Sequence, residues 1–211
     1  MTEYLRGRQK IYEYLYMAYY KVPDADFIKA TKEFSNIFTM LGAEIGGEID
    51  NGDGLLAAFL KENAHISDEE LAGRLNFAFT KLFIKGNSDI CKSERHWRCM
   101  EKTAEDIIVS VSNYFADANA VKPTEINLPI DSYSMELFYL YHTSKAAAEN
   151  EGEARYKILE EQLNFINDHI LCWTDKFTGA VIEKTDSANF YHPLAYLSNG
   201  FIKYDFNTLS G

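Results

Sequence analysis

The chain has 211 residues, 46% hydrophobic and 14% aromatic, which is enough for a sizeable core and too apolar for a disordered protein. A formal net charge of −11 argues against nucleic acid as a partner and favours basic peptides, although an acidic surface also simply keeps a protein in solution. No stretch is long and uncharged enough to span a bilayer, and Cys91, Cys99 and Cys172, odd in number and without a CxxC spacing, fit reduced, mostly buried thiols of a cytoplasmic protein.

The opening "MTEYLRGRQKIYEYLYMAYY" imitates a secretory signal, but Glu3, Glu13, its tyrosines and the lack of a small-residue cleavage site argue for a helix instead. Tyr12, Leu15, Tyr16 and Tyr19 share one face of that helix, and Pro23 stops it. A second helix is predicted from about Asp24 to Leu41, dissolving into a loop, "GAEIGGEIDNGDG". That loop is no calcium site: counted from Asp50, Gly52 falls at the third ligand position and Lys61 at the twelfth. In "ISDEELAGRLNFAFTKLF", Ser67 caps, Glu70 reaches back and Ile66 closes over Leu71, with Leu71, Leu75, Phe79 and Leu82 forming the buried stripe. A further helix is expected over about Glu94 to Phe115.

Residues 117–131, "DANAVKPTEINLPID", carry two prolines and no periodicity, an uncommon length of structureless chain inside a compact domain. They lead into an apolar run in which Pro129 delays helix entry, Asp131 or Ser132 caps, and Glu136 sits one turn beyond Ser132. A glutamate among Met135, Leu137, Phe138 and Leu140 is rarely unpaired, and an ion pair is its ordinary explanation. Leu159, Leu163, Ile166, Ile170 and Trp173, then Phe190, Leu194, Leu197, Phe201 and Tyr204, follow steps of four and three, giving two amphipathic helices. The reading is all-α: one globular bundle of about nine helices, its halves at about 1–116 and 132–211 joined by the 117–131 loop.

His169 flanks an apolar stripe with Phe165 and Cys172, the usual place of a hydrogen-bonded core histidine. The pairs His96/Cys99 and His169/Cys172 could together supply a Cys2His2 metal site, at intervals unlike familiar zinc modules. No P-loop, dinucleotide fingerprint, HExxH or nucleophile elbow occurs, so no enzyme is expected and no cofactor. A purely structural helical dimer, its acids serving as caps and ion pairs, is the other alternative.

Three segments in order resemble the TorD/DmsD group of molybdoenzyme-maturation chaperones. Pro129, Asp131, Ser132, Tyr133, Glu136 and Leu137 resemble its P-x-D-H-hydrophobic-x-x-E-L signature, with Ser132 where that group usually has histidine. His169, Ile170 and Trp173 resemble its His-Leu pair and following tryptophan, continuing into "NFYHPLAYLSNGFIKYD"; "FTKLFIKG", residues 79–86, is a weaker match. The resemblance implies a helical cytoplasmic chaperone that binds the twin-arginine signal peptide and the body of a molybdopterin oxidoreductase precursor and delays export until cofactor insertion. It also implies that halves are sometimes exchanged in a homodimer, with the 117–131 loop as hinge. Guanine nucleotide binding has been suggested for the group, and no phosphate-cradling motif here supports it. On this basis Pro129, Asp131, Ser132, Tyr133, Glu136, His169 and Trp173 are expected at the leader-peptide site. The leader's apolar segment would dock in an aromatic groove near the junction of the halves and set affinity, while Asp131 and Glu136 set orientation.

Overall fold

A computed structural model describes residues 2–84, 90–125 and 127–211. Among them are ten α-helices: α1 (Thr2–Tyr20), α2 (Ala25–Ile45), α3 (Gly47–Glu62), α4 (Asp68–Phe83), α5 (Glu94–Trp97), α6 (Ala104–Asp117), α7 (Tyr133–Glu149), α8 (Gly152–Phe165), α9 (Thr174–Lys184) and α10 (Tyr191–Ser210). A π-helical turn, Ile166–Ile170, extends α8. The described residues contain no strand, only an isolated antiparallel bridge between Ser93 and Ser132. The all-α expectation holds. Lys85 and Gly86 of the "FTKLFIKG" match lie outside the described residues.

Two boundaries differ from the sequence reading. The segment 42–54, expected to be loop, is helical except at Gly46; the φ values of 73° at Gly46 and 62° at Gly47 favour glycine and separate α2 from α3. Gly52 serves packing: a Cβ there would stand 2.8 Å from Cγ of Leu197. The Glu94–Phe115 helix divides into α5 and α6, because Thr103 starts a fresh helix by accepting a hydrogen bond from the Asp106 amide at 3.1 Å.

The chain forms two compact units, each discontinuous in sequence. The first comprises Met1–Lys21, Lys92–Trp173 and Phe206–Gly211; the second comprises Val22–Cys91 and Thr174–Asp205. Residues 117–131 lie wholly inside the first unit.

In the first unit α7 is buried on almost every side, with Tyr133, Met135, Leu137, Tyr139 and Leu140 at 0–1% exposure. It packs on α1 and α8. Aromatic pairs join it to α1: Tyr19 meets Tyr133 edge-on at 4.9 Å, and Tyr16 meets Phe138 at 5.2 Å. A buried polar layer fixes their register. Gln162 on α8 donates to Thr143 Oγ1 at 2.7 Å and Ser144 Oγ at 3.0 Å, and its carbonyl accepts from Arg8 Nη2 at 3.0 Å. At the end of α6, Asn119 (φ 51°) turns the chain left-handed. The Ala120 amide reaches the Phe115 carbonyl at 2.8 Å and that of Asn119 reaches Ala116 at 3.0 Å, a Schellman stop.

In the second unit the helix starts follow the sequence. Asp24 Oδ1 accepts from the Phe27 amide at 2.9 Å, and Ser67 Oγ accepts from that of Glu70 at 3.2 Å. The Glu70 carboxylate does not reach back as expected but engages Arg74 at 2.9 Å, one turn onward. Leu71, Leu75, Phe79 and Leu82 are buried as expected, and Phe190 lies against Phe27 and Phe59.

Candidate functional site

The motif residues gather at the N-terminal end of α7, inside the first unit. Chain segments 92–94 and 131–133 run antiparallel there. The Tyr133 amide donates to the Lys92 carbonyl at 2.8 Å, and that of Glu94 to the Asp131 carbonyl at 2.8 Å. Lys92 also closes the end of α1, its Nζ donating to the Tyr19 carbonyl at 3.0 Å, where a cation meets the negative end of the helix.

Asp131 or Ser132 is the cap the sequence leads one to expect for α7, and Asp131 does not fill that role. Its side chain instead caps α5: Oδ2 accepts from the Arg95 amide at 3.1 Å. Arg95 then takes the carboxylate in a two-point clasp, Nε to Oδ2 at 2.8 Å and Nη2 to Oδ1. Ser132, the N-cap residue of α7 by position, accepts no capping hydrogen bond through its side chain and lies 3.4 Å from Ser134 Oγ. The physical reason is the neighbouring segment: with 92–94 alongside, the free amides nearest Asp131 belong to α5.

Glu136 answers to burial. It is 0% exposed, and its Oε2 accepts from Trp173 Nε1 at 3.1 Å. Burial, then the neighbouring Glu94 carboxylate, holds its carboxyl well above the usual range, so the buried group is neutral. Oε1 has no hydrogen-bond partner among the described residues, and the carboxyl is a close neighbour of Glu94. Glu94 is held from two sides: Arg98 Nη1 donates to it at 2.5 Å and His169 Nδ1 meets it at 2.9 Å. His169 Nε2 then meets Ser110 Oγ at 2.9 Å. Arg98 also reaches the Asp168 carbonyl, in the π-turn, at 2.7 Å. Tyr133 packs edge-on against Trp173 at 5.7 Å.

The structure thus brings Asp131, Ser132, Tyr133, Glu136, His169 and Trp173 into one network, all of them 0–1% exposed; Pro129 alone is at the surface. Neither acid meets an arriving arginine: Asp131 is spent on Arg95, and Glu136 is fully buried against Trp173. The chemistry of the cluster is that of a neutralised, hydrogen-bonded core that fixes α5, α7 and the π-turn. The sequence reading missed Glu94, Arg95, Arg98 and Ser110. The string "ERHWR" held a signal, since Glu94 and Arg98 stand four apart, the spacing of a helical ion pair.

The metal alternative fails on the same geometry. His169 commits both ring nitrogens to Glu94 and Ser110, and the described residues contain no group of three or more histidine, cysteine or acidic side chains able to hold a metal. His96/Cys99 and His169/Cys172 therefore form no such site, and the cysteines are not buried as expected: Cys99 is exposed, and Cys91 and Cys172 are half-buried. No helix is long and apolar enough to cross a membrane, among the described residues.

Comparison with known proteins gives two matches. The family model described as nitrate reductase delta subunit matches residues 47–179. The chaperone protein TorD of Aliivibrio fischeri (strain ATCC 700601 / ES114) is 32% identical over 114 residues, 52% of this chain and 49% of that protein. The match thus spans about half the length of that relative. No solved structure matches.

Proposed function

The chain belongs to the nitrate reductase delta subunit family, the TorD family, and from that membership we propose that it is a cytoplasmic maturation chaperone for a molybdopterin oxidoreductase. In this reading it binds the twin-arginine signal peptide of the precursor and delays export until the cofactor is inserted. The observation that carries it is the family match together with the similarity to a curated chaperone. The net charge of −11 supports a basic peptide as ligand.

The buried network narrows how the motif residues serve this role. Asp131, Ser132, Tyr133, Glu136, His169 and Trp173 act as positioning residues, holding α7 and α5 in the arrangement that the peptide meets; Pro129 is the member with a surface to offer. Affinity comes from the leader's apolar segment, since exposed ion pairs add only about 0–1 kcal/mol each. Ordering a flexible peptide consumes much of the gain, which leaves micromolar binding, about −8 kcal/mol.

Isothermal titration of the purified protein with the twin-arginine leader peptide of a molybdopterin oxidoreductase from the same host tests the reading. A dissociation constant in the micromolar range is expected. Absence of binding at peptide concentrations of about a hundred micromolar overturns it.

A further inference from the structure

A second feature of the first unit lies away from the motif network. Where the end of α6, the C-terminal half of α7 and α8 meet, a cleft of about 320 Å3 opens to solvent. Ala118, Ala146, Ala154 and Ile158 give it a small, aliphatic floor, and Asp117 and Glu161 stand among its lining residues. Ala146 is ten residues beyond Glu136 on α7, hence roughly 15 Å along the helix axis from the buried acids.

The two carboxylates are poorly neutralised. Asp117 is exposed and has no ion-pair partner among the described residues. Among the described residues Glu161 pairs only with Lys157, also in the lining, at 3.9 Å, and that lysine side chain is 76% exposed. Such a pair is worth little and gives way readily to a better-shaped cation. Their field is felt inside the protein: the Tyr139 phenol is held far above its ordinary range by burial, then by Glu161, Tyr114 and Asp117. The cleft therefore combines an apolar floor for a methylene stem with unspent negative charge for its head.

We propose that this cleft receives an arginine or lysine side chain of the client's basic peptide segment, its stem over the alanines and its cation between Asp117 and Glu161. The inference rests on the maturation-chaperone reading and deepens it, separating the point that reads the leader's positive charge from the buried motif that holds the helices. Arginine fits better than lysine, because its planar fork can bridge two carboxylates.

The test is fluorescence anisotropy with a labelled twin-arginine leader peptide and the same peptide with both arginines replaced by glutamine. Each is titrated with the wild-type protein and with the Asp117→Asn/Glu161→Gln variant at low and at moderate salt. Both substituted side chains reach solvent, and matching thermal melts establish that the variant is folded. Expected is a loss of affinity of about three- to tenfold for the arginine peptide on the variant, no loss for the glutamine peptide, and a smaller difference at higher salt. Equal binding of the arginine peptide to both proteins, or equal weakening of both peptides, overturns the cleft assignment and leaves the chaperone reading standing. Failure of the wild-type protein to bind either peptide removes the chaperone reading and the cleft with it.

Discussion

At the scale of single residues, the neutral carboxyl of Glu136 has a consequence for stability. In the unfolded chain it titrates as an ordinary glutamate near about 4.3, whereas burial and Glu94 hold its proton in the native protein. As pH rises above the ordinary range the unfolded chain therefore binds fewer protons than the native one. Stability falls by up to about 1.4 kcal/mol per pH unit until the native group also ionises. Glu136→Gln keeps an acceptor for Trp173 while removing this loss. Urea midpoints of wild type and variant at about pH 5 and about pH 8 are expected to differ more at the higher pH, with the variant the more stable. A constant gap would mean that Glu136 is charged in the native state. Much of this network was hidden in the sequence. Asp131, Glu136, His169 and Trp173 stood out by residue type and by motif, but Arg95, which pairs with Asp131, and Glu94, which pairs with His169, lie 36 and 75 positions from their partners, and pairing across such separations leaves no periodic trace. Direction was also unreadable: a carboxylate at a helix start looks the same whether it caps that helix or a neighbour.

At the scale of elements, one substitution has opposite signs in two helices. Gly73, in α4, has open space where a Cβ would go, so Gly73→Ala removes only backbone freedom from the unfolded chain and stabilises by about 0.5–1 kcal/mol. Gly52, in α3, would place its Cβ 2.8 Å from Leu197 Cγ and 3.0 Å from the Leu197 backbone nitrogen, and backbone cannot swing aside. Gly52→Ala is expected to cost about 1–3 kcal/mol through overpacking, measured like the first by chemical denaturation. Sequence alone gives no means of telling these glycines apart, which is also why 42–54 reads as loop: Gly46 and Gly47 break the helix, while Gly42 and Gly52 lie within helices. A repeating stripe was legible in α1 and α4, whereas the one read over Leu159–Trp173 is broken by the π-turn and leaves Leu159 and Leu163 half-buried. The faces Tyr12–Leu15–Tyr16–Tyr19 and Leu71–Leu75–Phe79–Leu82 are buried as read. In α7 burial on almost every side erases the stripe, and only the proline and polar residues ahead of it marked its start.

At the scale of the whole molecule, each unit is assembled from chain pieces distant in sequence. The first unit needs α1: Leu5, Tyr12, Leu15 and Tyr19 are fully buried, and Arg8 satisfies the carbonyl of Gln162. A chain starting at residue 22 loses that whole face of α7. It is expected to lose the cooperative unfolding transition of the first unit, followed by near-ultraviolet circular dichroism of the buried tyrosines. Retention of the full near-ultraviolet signal would show that α7 and α8 suffice without it. The two tryptophans, Trp97 and Trp173, both fall in the first unit, and the second contains none. Their emission on selective excitation is accordingly a built-in lamp for one unit only. Paired with far-ultraviolet ellipticity, which sums over every helix, it distinguishes without any label whether the two parts of this chain melt as one body or in turn.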